Sequence, residues 1–196
     1  MIVILIGPMK VGKSTVARLL AARLGLARRP LDKSRWDYYR EVGFDETYAR
    51  KLAAGGSLKA AMEYCKPFEV HAVERHLAEC REGVVDFGAG YTVQDDPALS
   101  ERVRQALAPH PNVVLLLPCV DADQSIACLN ERVDQDRVDS DRVNPDRVDA
   151  ELRDLNAHYV RHPANGSLAK VCVYTLGKTP EETCEDILCA LGIAPL

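Results

Sequence analysis

Hydrophobic positions in this chain fall into two patterns. Residues 1–6, 83–87, 113–117 and 171–175 are short runs dominated by apolar side chains, the signature of parallel strands buried on both faces. Residues 26–31 read as a further short strand with Asp32 at its carboxyl end. Between these runs the apolar spacing becomes helical. Val16, Leu19, Leu20 and Leu24 share a face over 15–24, and Phe68, Ala72, Val73, Leu77 and Cys80 mark a long helix over 58–80, bent near Pro67. Residues 34–52 are helical but mixed, and Gly55-Gly56-Ser57 breaks the pattern with Ser57 as an N-cap. Further helices are predicted over 97–107, from Asp121 through Leu129, and over 180–191, with Pro97 and Pro180 in their first turns. Strand and helix alternate throughout. The expected fold is therefore α/β, a doubly wound, three-layer parallel sheet of about five strands. Ligands bind such sheets at the strand carboxyl ends.

Composition narrows this picture only slightly. A chain of 196 residues, 47% hydrophobic, suits a single domain over 1–196. A formal charge of −4 gives no reason to expect a nucleic-acid partner. No apolar run reaches membrane-spanning length, and the apolar N-terminus without a basic leader reads as a core strand. The seven cysteines are odd in number and contain no C-x-x-C pair. They read as core thiols of a cytoplasmic protein, not as a zinc site. A monomer is expected, with a dimer as the alternative.

Chemistry enters at Gly7-Pro8-Met9-Lys10-Val11-Gly12-Lys13-Ser14, which reads G-x-x-x-x-G-K-S and is followed by Thr15. Strand, glycine loop and helix occur in the order that a phosphate-binding loop requires. Gly7 and Gly12 let backbone N–H groups converge on an anion, and the helix N-terminus adds its dipole. Lys13 is expected on the β- and γ-phosphates of ATP, and the Ser14 hydroxyl on Mg²⁺. Asp32 and Asp86 end strands on the same sheet edge. Each is a candidate Mg²⁺ ligand or a base for an attacking hydroxyl, and the sequence does not divide these roles between them. The charge of Lys10 either lies over the phosphates or points to water.

One segment stands apart. Residues 132–151 read RVDQD, RVDSD, RVNPD, RVDAE. A five-residue step turns about 500° on a helix and alternates faces on a strand, so neither element gathers Val133, Val138, Val143 and Val148 on one side. With four arginines and eight acids over 131–151, a flexible, solvated insertion or lid is expected, and its deletion should be nearly neutral for stability. It lacks the glycine and terminal glutamate of an EF-hand calcium loop. Farther on, His158 and His162 share a helix face but lack the acid of H-E-x-x-H. Residues 156–165 therefore read as an acceptor contact or lid hinge, or as an exposed helix end. Arg161 is the candidate there for an anionic group. The aromatic cluster Trp36, Tyr38, Tyr39, Phe44 and Tyr48 reads either as an acceptor wall or as packing. His71 and His76 do not share a face and read as structural.

Taken together, the order G-P-M-x-x-G-K-S-T, a strand leading to Asp32, a strand leading to Gly88-Ala89-Gly90, and a last strand followed by Pro180-Glu181-Glu182 resembles the shikimate kinase family of P-loop small-molecule kinases. The resemblance implies a kinase that binds ATP and Mg²⁺, with Arg132 and Pro180 on either side of the adenine and Arg137 among the lid arginines near the transferring phosphoryl group. It also implies an acceptor site containing Lys66, Gly88, Ala89 and Gly90, to which the reading of the residues themselves adds Asp32 and Arg161. The departures cluster on that side: Ser34 stands where the family's second aspartate would be, Lys66 where an arginine is usual, and Ala89 where a glycine is usual. The expected activity is transfer of the γ-phosphoryl group of Mg-ATP to a hydroxyl of a small polar acceptor. A nucleoside or nucleotide kinase, or a non-catalytic ATP-binding regulator, are the alternatives.

Overall fold

The computed structural model describes residues 1–54, 58–137 and 145–193, without the side chains of 58, 136, 137 and 145–149. In chain order the elements are β1 (Ile2–Ile6), α1 (Lys13–Arg23), β2 (Arg28–Pro30), α2 (Leu31–Glu41), α3 (Glu46–Ala54), α4 (Leu58–Glu79), β3 (Gly83–Asp86), α5 (Pro97–Leu107), β4 (Val113–Leu117), α6 (Ala122–Arg137), α7 (Pro145–Arg161), α8 (Pro163–Leu168), β5 (Val171–Tyr174) and α9 (Pro180–Ala190). All five strands are parallel, in the order β2-β3-β1-β4-β5.

The two-residue alternation of strands explains the three layers. Val3 and Leu5 of β1, with Val84, Val114, Leu116 and Val173, face Val16 and Leu20 of α1, Leu129 of α6 and Ile187 of α9. Ile4 and Ile6, with Val85, Phe87, Val113 and Leu115, face Tyr39 of α2, Val70 and Val73 of α4, Val103 of α5 and Leu168 of α8. Burial on both faces accounts for the unbroken apolar runs. Helix ends follow local chemistry. Asp96 accepts the Ala98 and Leu99 N–H groups at the start of α5, and Thr179 with Glu182 forms a capping box on α9. Among the described residues no helix is long and apolar enough to cross a membrane.

Three expectations need correction. Asp32 lies in the first turn of α2, beyond the three-residue strand β2, because the helix begins directly after Pro30. The repeat is not a wholly solvated insertion. Helix α6 continues through its first pentad to Arg137, and Val133 is buried at 1% exposure. Pro145 opens α7, where proline is tolerated in a first turn. Arg153 pairs with Asp134 and Arg161 with Asp123, so α7 lies along α6. Residues 138–144 lie outside the described residues. Finally, 156–165 is only in part an exposed helix end: His158 and Arg161 are exposed, but Asn156, Tyr159 and Asn165 are buried.

The aromatic cluster is packing. Trp36, Tyr39, Phe44 and Tyr48 interlock with Tyr64 and Phe68 of α4, which joins α2 and α3 to the long helix. His71 meets Glu41, and His76 meets the Arg29 carbonyl.

Candidate active site

The phosphate loop leaves β1 at the point where the sheet order reverses, between β3 and β4. Its first residue has no alternative to glycine. At Gly7, with φ of +136°, a Cβ would stand 2.4 Å from the Leu116 carbonyl oxygen of β4. Gly12, with φ of +99°, turns the chain into α1. Between them Pro8 and Val11 are buried, Met9 is half-buried, and Lys10 takes the left-handed conformation at φ of 63°. The Lys10 carbonyl accepts from Arg132 Nη1 at 2.9 Å. Arg132, on α6, therefore touches the loop itself. Thr15 is exposed, and its N–H starts the α1 ladder on the Gly12 carbonyl.

Lys13 is folded against the loop, with Nζ donating to Gly7 O at 2.8 Å and to Pro8 O at 2.6 Å. Burial lowers its pKa from 10.5 to about 8, against the opposing pull of Asp86 and Asp32. Both acids therefore act electrostatically on the loop lysine.

Asp86 closes β3 on the α1 side of the sheet. Its register partner on β1 is Leu5, and on β2 it is Pro30. Ser14 Oγ donates to Asp86 Oδ2 at 3.0 Å. Arg28 takes the same carboxylate in a fork, Nε to Oδ1 at 2.9 Å and Nη2 to Oδ2 at 2.7 Å. Register explains the pairing: Arg28 sits opposite Val84, two residues before Asp86 and on the same face. Ser14 and Asp86 together offer only oxygen donors, the chemistry that suits Mg²⁺.

Asp32 occupies a different environment. Its side chain is 56% exposed and accepts from Tyr91 Oη at 3.2 Å, with Arg35 at 3.5 Å. Burial and the Asp32 charge raise the Tyr91 pKa, which keeps its phenol a donor. Gly88 is close by: a Cβ there would lie 3.3 Å from Asp32 Oδ1. Ala89 packs with Val93 and Tyr159 in a small cluster that also takes Met9 of the phosphate loop. The loop after β3 is fixed by Lys66, whose Nζ donates to Gly90 O and Val93 O at 3.0 Å each and to Glu69 Oε2 at 3.1 Å. Those three bonds use all three ammonium protons, so Lys66 holds the loop in shape. Burial raises the Glu69 pKa, against the attraction of Lys66.

The remaining expected residues are not gathered here. Arg161 donates to Asp123 at 2.6 Å, so a brace between α7 and α6 replaces the expected acceptor contact. Pro180 is an exposed residue in the first turn of α9. The side chain of Arg137 lies outside the described residues.

Comparison with known proteins bears on the fold. The chain is similar over 95% of its length to the shikimate kinase of Acinetobacter baumannii, solved in complex with shikimate, with a TM-score of 0.63, 22% identity and coverage of 90% of that chain. The fold is that of the shikimate-kinase-like P-loop kinases. A gluconokinase from Sinorhizobium meliloti shares this P-loop kinase fold at a TM-score of 0.55 and 16% identity, over 97% of this chain and 90% of its own. In sequence, 112 residues are 37% identical to the shikimate kinase of Saccharopolyspora erythraea. That match spans 57% of this chain and 54% of the relative, about half its length. No protein-family model matches the chain.

Within this P-loop kinase fold, sequence reasoning missed Arg28, Tyr91 and Tyr159. Arg28 carried a usable signal, a charged residue in a strand two places before the register partner of Asp86. Tyr91 and Tyr159 carried none, because their neighbours are distant in sequence.

Proposed function

We propose that the protein is an ATP-dependent kinase that moves the γ-phosphoryl group of Mg-ATP to a hydroxyl of a small polar acceptor. The observation that carries this reading is the division of labour between the two acids. Asp86 is buried on Ser14 and Arg28, on the nucleotide side. Asp32 is open to solvent beside Gly88. Ser14 and Asp86 would hold Mg²⁺, which neutralises phosphate charge when bound. Lys13 leaves its two carbonyls to meet the phosphates, and the loop N–H groups line the same anion. Asp32 orients the acceptor hydroxyl and accepts its proton as the oxygen bonds to the γ-phosphorus. The bond from that phosphorus to the β–γ bridging oxygen breaks, and ADP leaves. Arg132, moored to the loop, adds positive charge beside the nucleotide.

The acceptor differs from shikimate. Ser34 replaces a carboxylate of the family pattern, and Lys66 has its three donors engaged within the protein. The test is ADP release from Mg-ATP with a panel of hydroxyl compounds that includes shikimate, gluconate and nucleosides. One non-nucleoside acceptor is expected to raise release well above that with water alone. Nucleotide binding without turnover on any acceptor would instead establish an ATP-binding regulator.

A further inference from the structure

Three ligand-type side chains meet outside the phosphoryl-transfer site. His158 lies in the last turn of α7, and His162 caps α8. Asp95 comes from the loop that carries Gly88 to Gly90. His158 Nε2 lies 3.5 Å and His162 Nε2 3.4 Å from Asp95 Oδ1. All three ligand atoms fall within 4.8 Å of one another. These separations exceed the roughly 2.7–3.2 Å of a good N–H···O bond. The two distances from Asp95 match the edge of about 3.4 Å of a tetrahedron whose metal–ligand bonds are about 2.1 Å. Asp95 and His158 are exposed, so an ion has access from solvent. The histidine pair alone lacked an acid, and the fold supplies one from far away in sequence.

We propose that Asp95, His158 and His162 form a binding site for a divalent first-row transition metal ion of the Zn²⁺ type, with a coordination position left open. Two imidazoles and one carboxylate suit zinc, and a fourth position is then left for water or a ligand. Asp95 and His158 also line a cavity of about 360 Å³, together with Met62, Lys66, Leu155 and Tyr159. Two of the three ligands therefore border a space large enough for a small molecule. The ion would join the loop after β3 to the end of α7. One contact must yield. His162 Nδ1 accepts the Ala164 N–H at 3.2 Å. A neutral imidazole that ligates through Nε2 carries its proton on Nδ1, so metal and cap compete for the same ring.

The test uses the full chain after chelator treatment, titrated with Zn²⁺ against a colorimetric zinc indicator. The expected result is one Zn²⁺ per chain, with affinity falling by about tenfold or more in both His158→Ala and Asp95→Asn. His158 is exposed, and the asparagine keeps the shape of Asp95, so both variants should show the thermal unfolding of the metal-free parent. Ala164 amide exchange should quicken when Zn²⁺ binds. The seven free thiols are the competing ligands. Co²⁺ separates the cases, because thiolate ligation gives an intense near-ultraviolet band that the proposed site lacks. Absence of binding, a thiolate band, or affinity unchanged in both variants would overturn the proposal.

Discussion

The two sides of the phosphate loop are built by different means. The nucleotide side grows from a local core: Gly7 to Ser14 are consecutive, Lys13 bonds to carbonyls five and six residues back, and the fold then brings Asp86, Arg28 and Arg132 to that core. The acceptor side is assembled from α2, α4, the loop after β3 and the end of α7, and its contacts cross 24 to 59 residues. Two ammonium groups show the contrast most clearly. Lys13 is held by two carbonyls that it can exchange for phosphate. Lys66 is held by two carbonyls and a largely buried carboxylate, and it has nothing left to offer a ligand. A charge with an unfinished set of partners is suited to chemistry, and a charge with a finished set is suited to architecture.

The sharpest way to break this comparison is Lys13→Ala. Phosphoryl transfer should fall by about a thousandfold, the scale of removing a principal transition-state donor, with far-ultraviolet circular dichroism unchanged. Retained turnover would remove Lys13 from the chemistry. Next in size is the nucleotide-side pair. Arg28→Ala should destabilise the fold by about 2–4 kcal/mol, because Asp86 remains buried without its fork. Urea denaturation of Arg28→Ala, Asp86→Asn and the double variant should show coupling between the two sites. On the acceptor side, Lys66→Met leaves Glu69 buried without its cation and should cost about 3 kcal/mol. It should also raise KM for the acceptor while the nucleotide Kd stays constant; the opposite pattern would place Lys66 at the nucleotide. Val133→Ala should cost about 2 kcal/mol by cavity formation, and an unchanged melting midpoint would return the first pentad to solvent. The smallest effect is in pH. Lys13 must be protonated to hold phosphate, and burial pulls its pKa down to about 8. Nucleotide affinity should therefore fall up to about tenfold per unit above that pH, as linkage requires, and Lys13→Met should flatten the profile. The sign for stability is reversed. Between about 8 and 10.5 the unfolded chain holds this proton more tightly than the fold, so the Lys13 contribution to stability rises with pH in that window.

Where contacts are local, the sequence was readable. The P-loop, α5 from Pro97 to Leu107, β4 from Val113 to Leu117 and the capped start of α9 all lie where spacing and cap residues put them. Where the outcome depends on a partner supplied by the fold, it was not readable. The five-residue step argued against a common face for the four valines, yet Val133 is buried because α6 simply runs on into the first pentad. The histidines at 158 and 162 were set aside for want of an acid that Asp95 provides only after folding. Arg161 matched the chemistry of an anion contact, but Asp123 reached it first. The aromatic residues after Asp32 could have lined a site or a core, and only the position of Tyr64 and Phe68 on α4 decided it.

The bond from Arg132 to the Lys10 carbonyl bears on how this protein can change over evolutionary time. Tandem repeats gain and lose whole units during replication. Here each unit is five residues, and the first begins at the arginine that touches the phosphate loop. On the far side, Arg153, just past the last pentad, binds Asp134 within the first, and Arg161 binds Asp123 ahead of the repeat. Pentads added or lost between Asp134 and Arg153 would leave Arg132, Asp134, Arg153 and Arg161 all present. A change in repeat number would therefore keep the Arg132 contact on the phosphate loop.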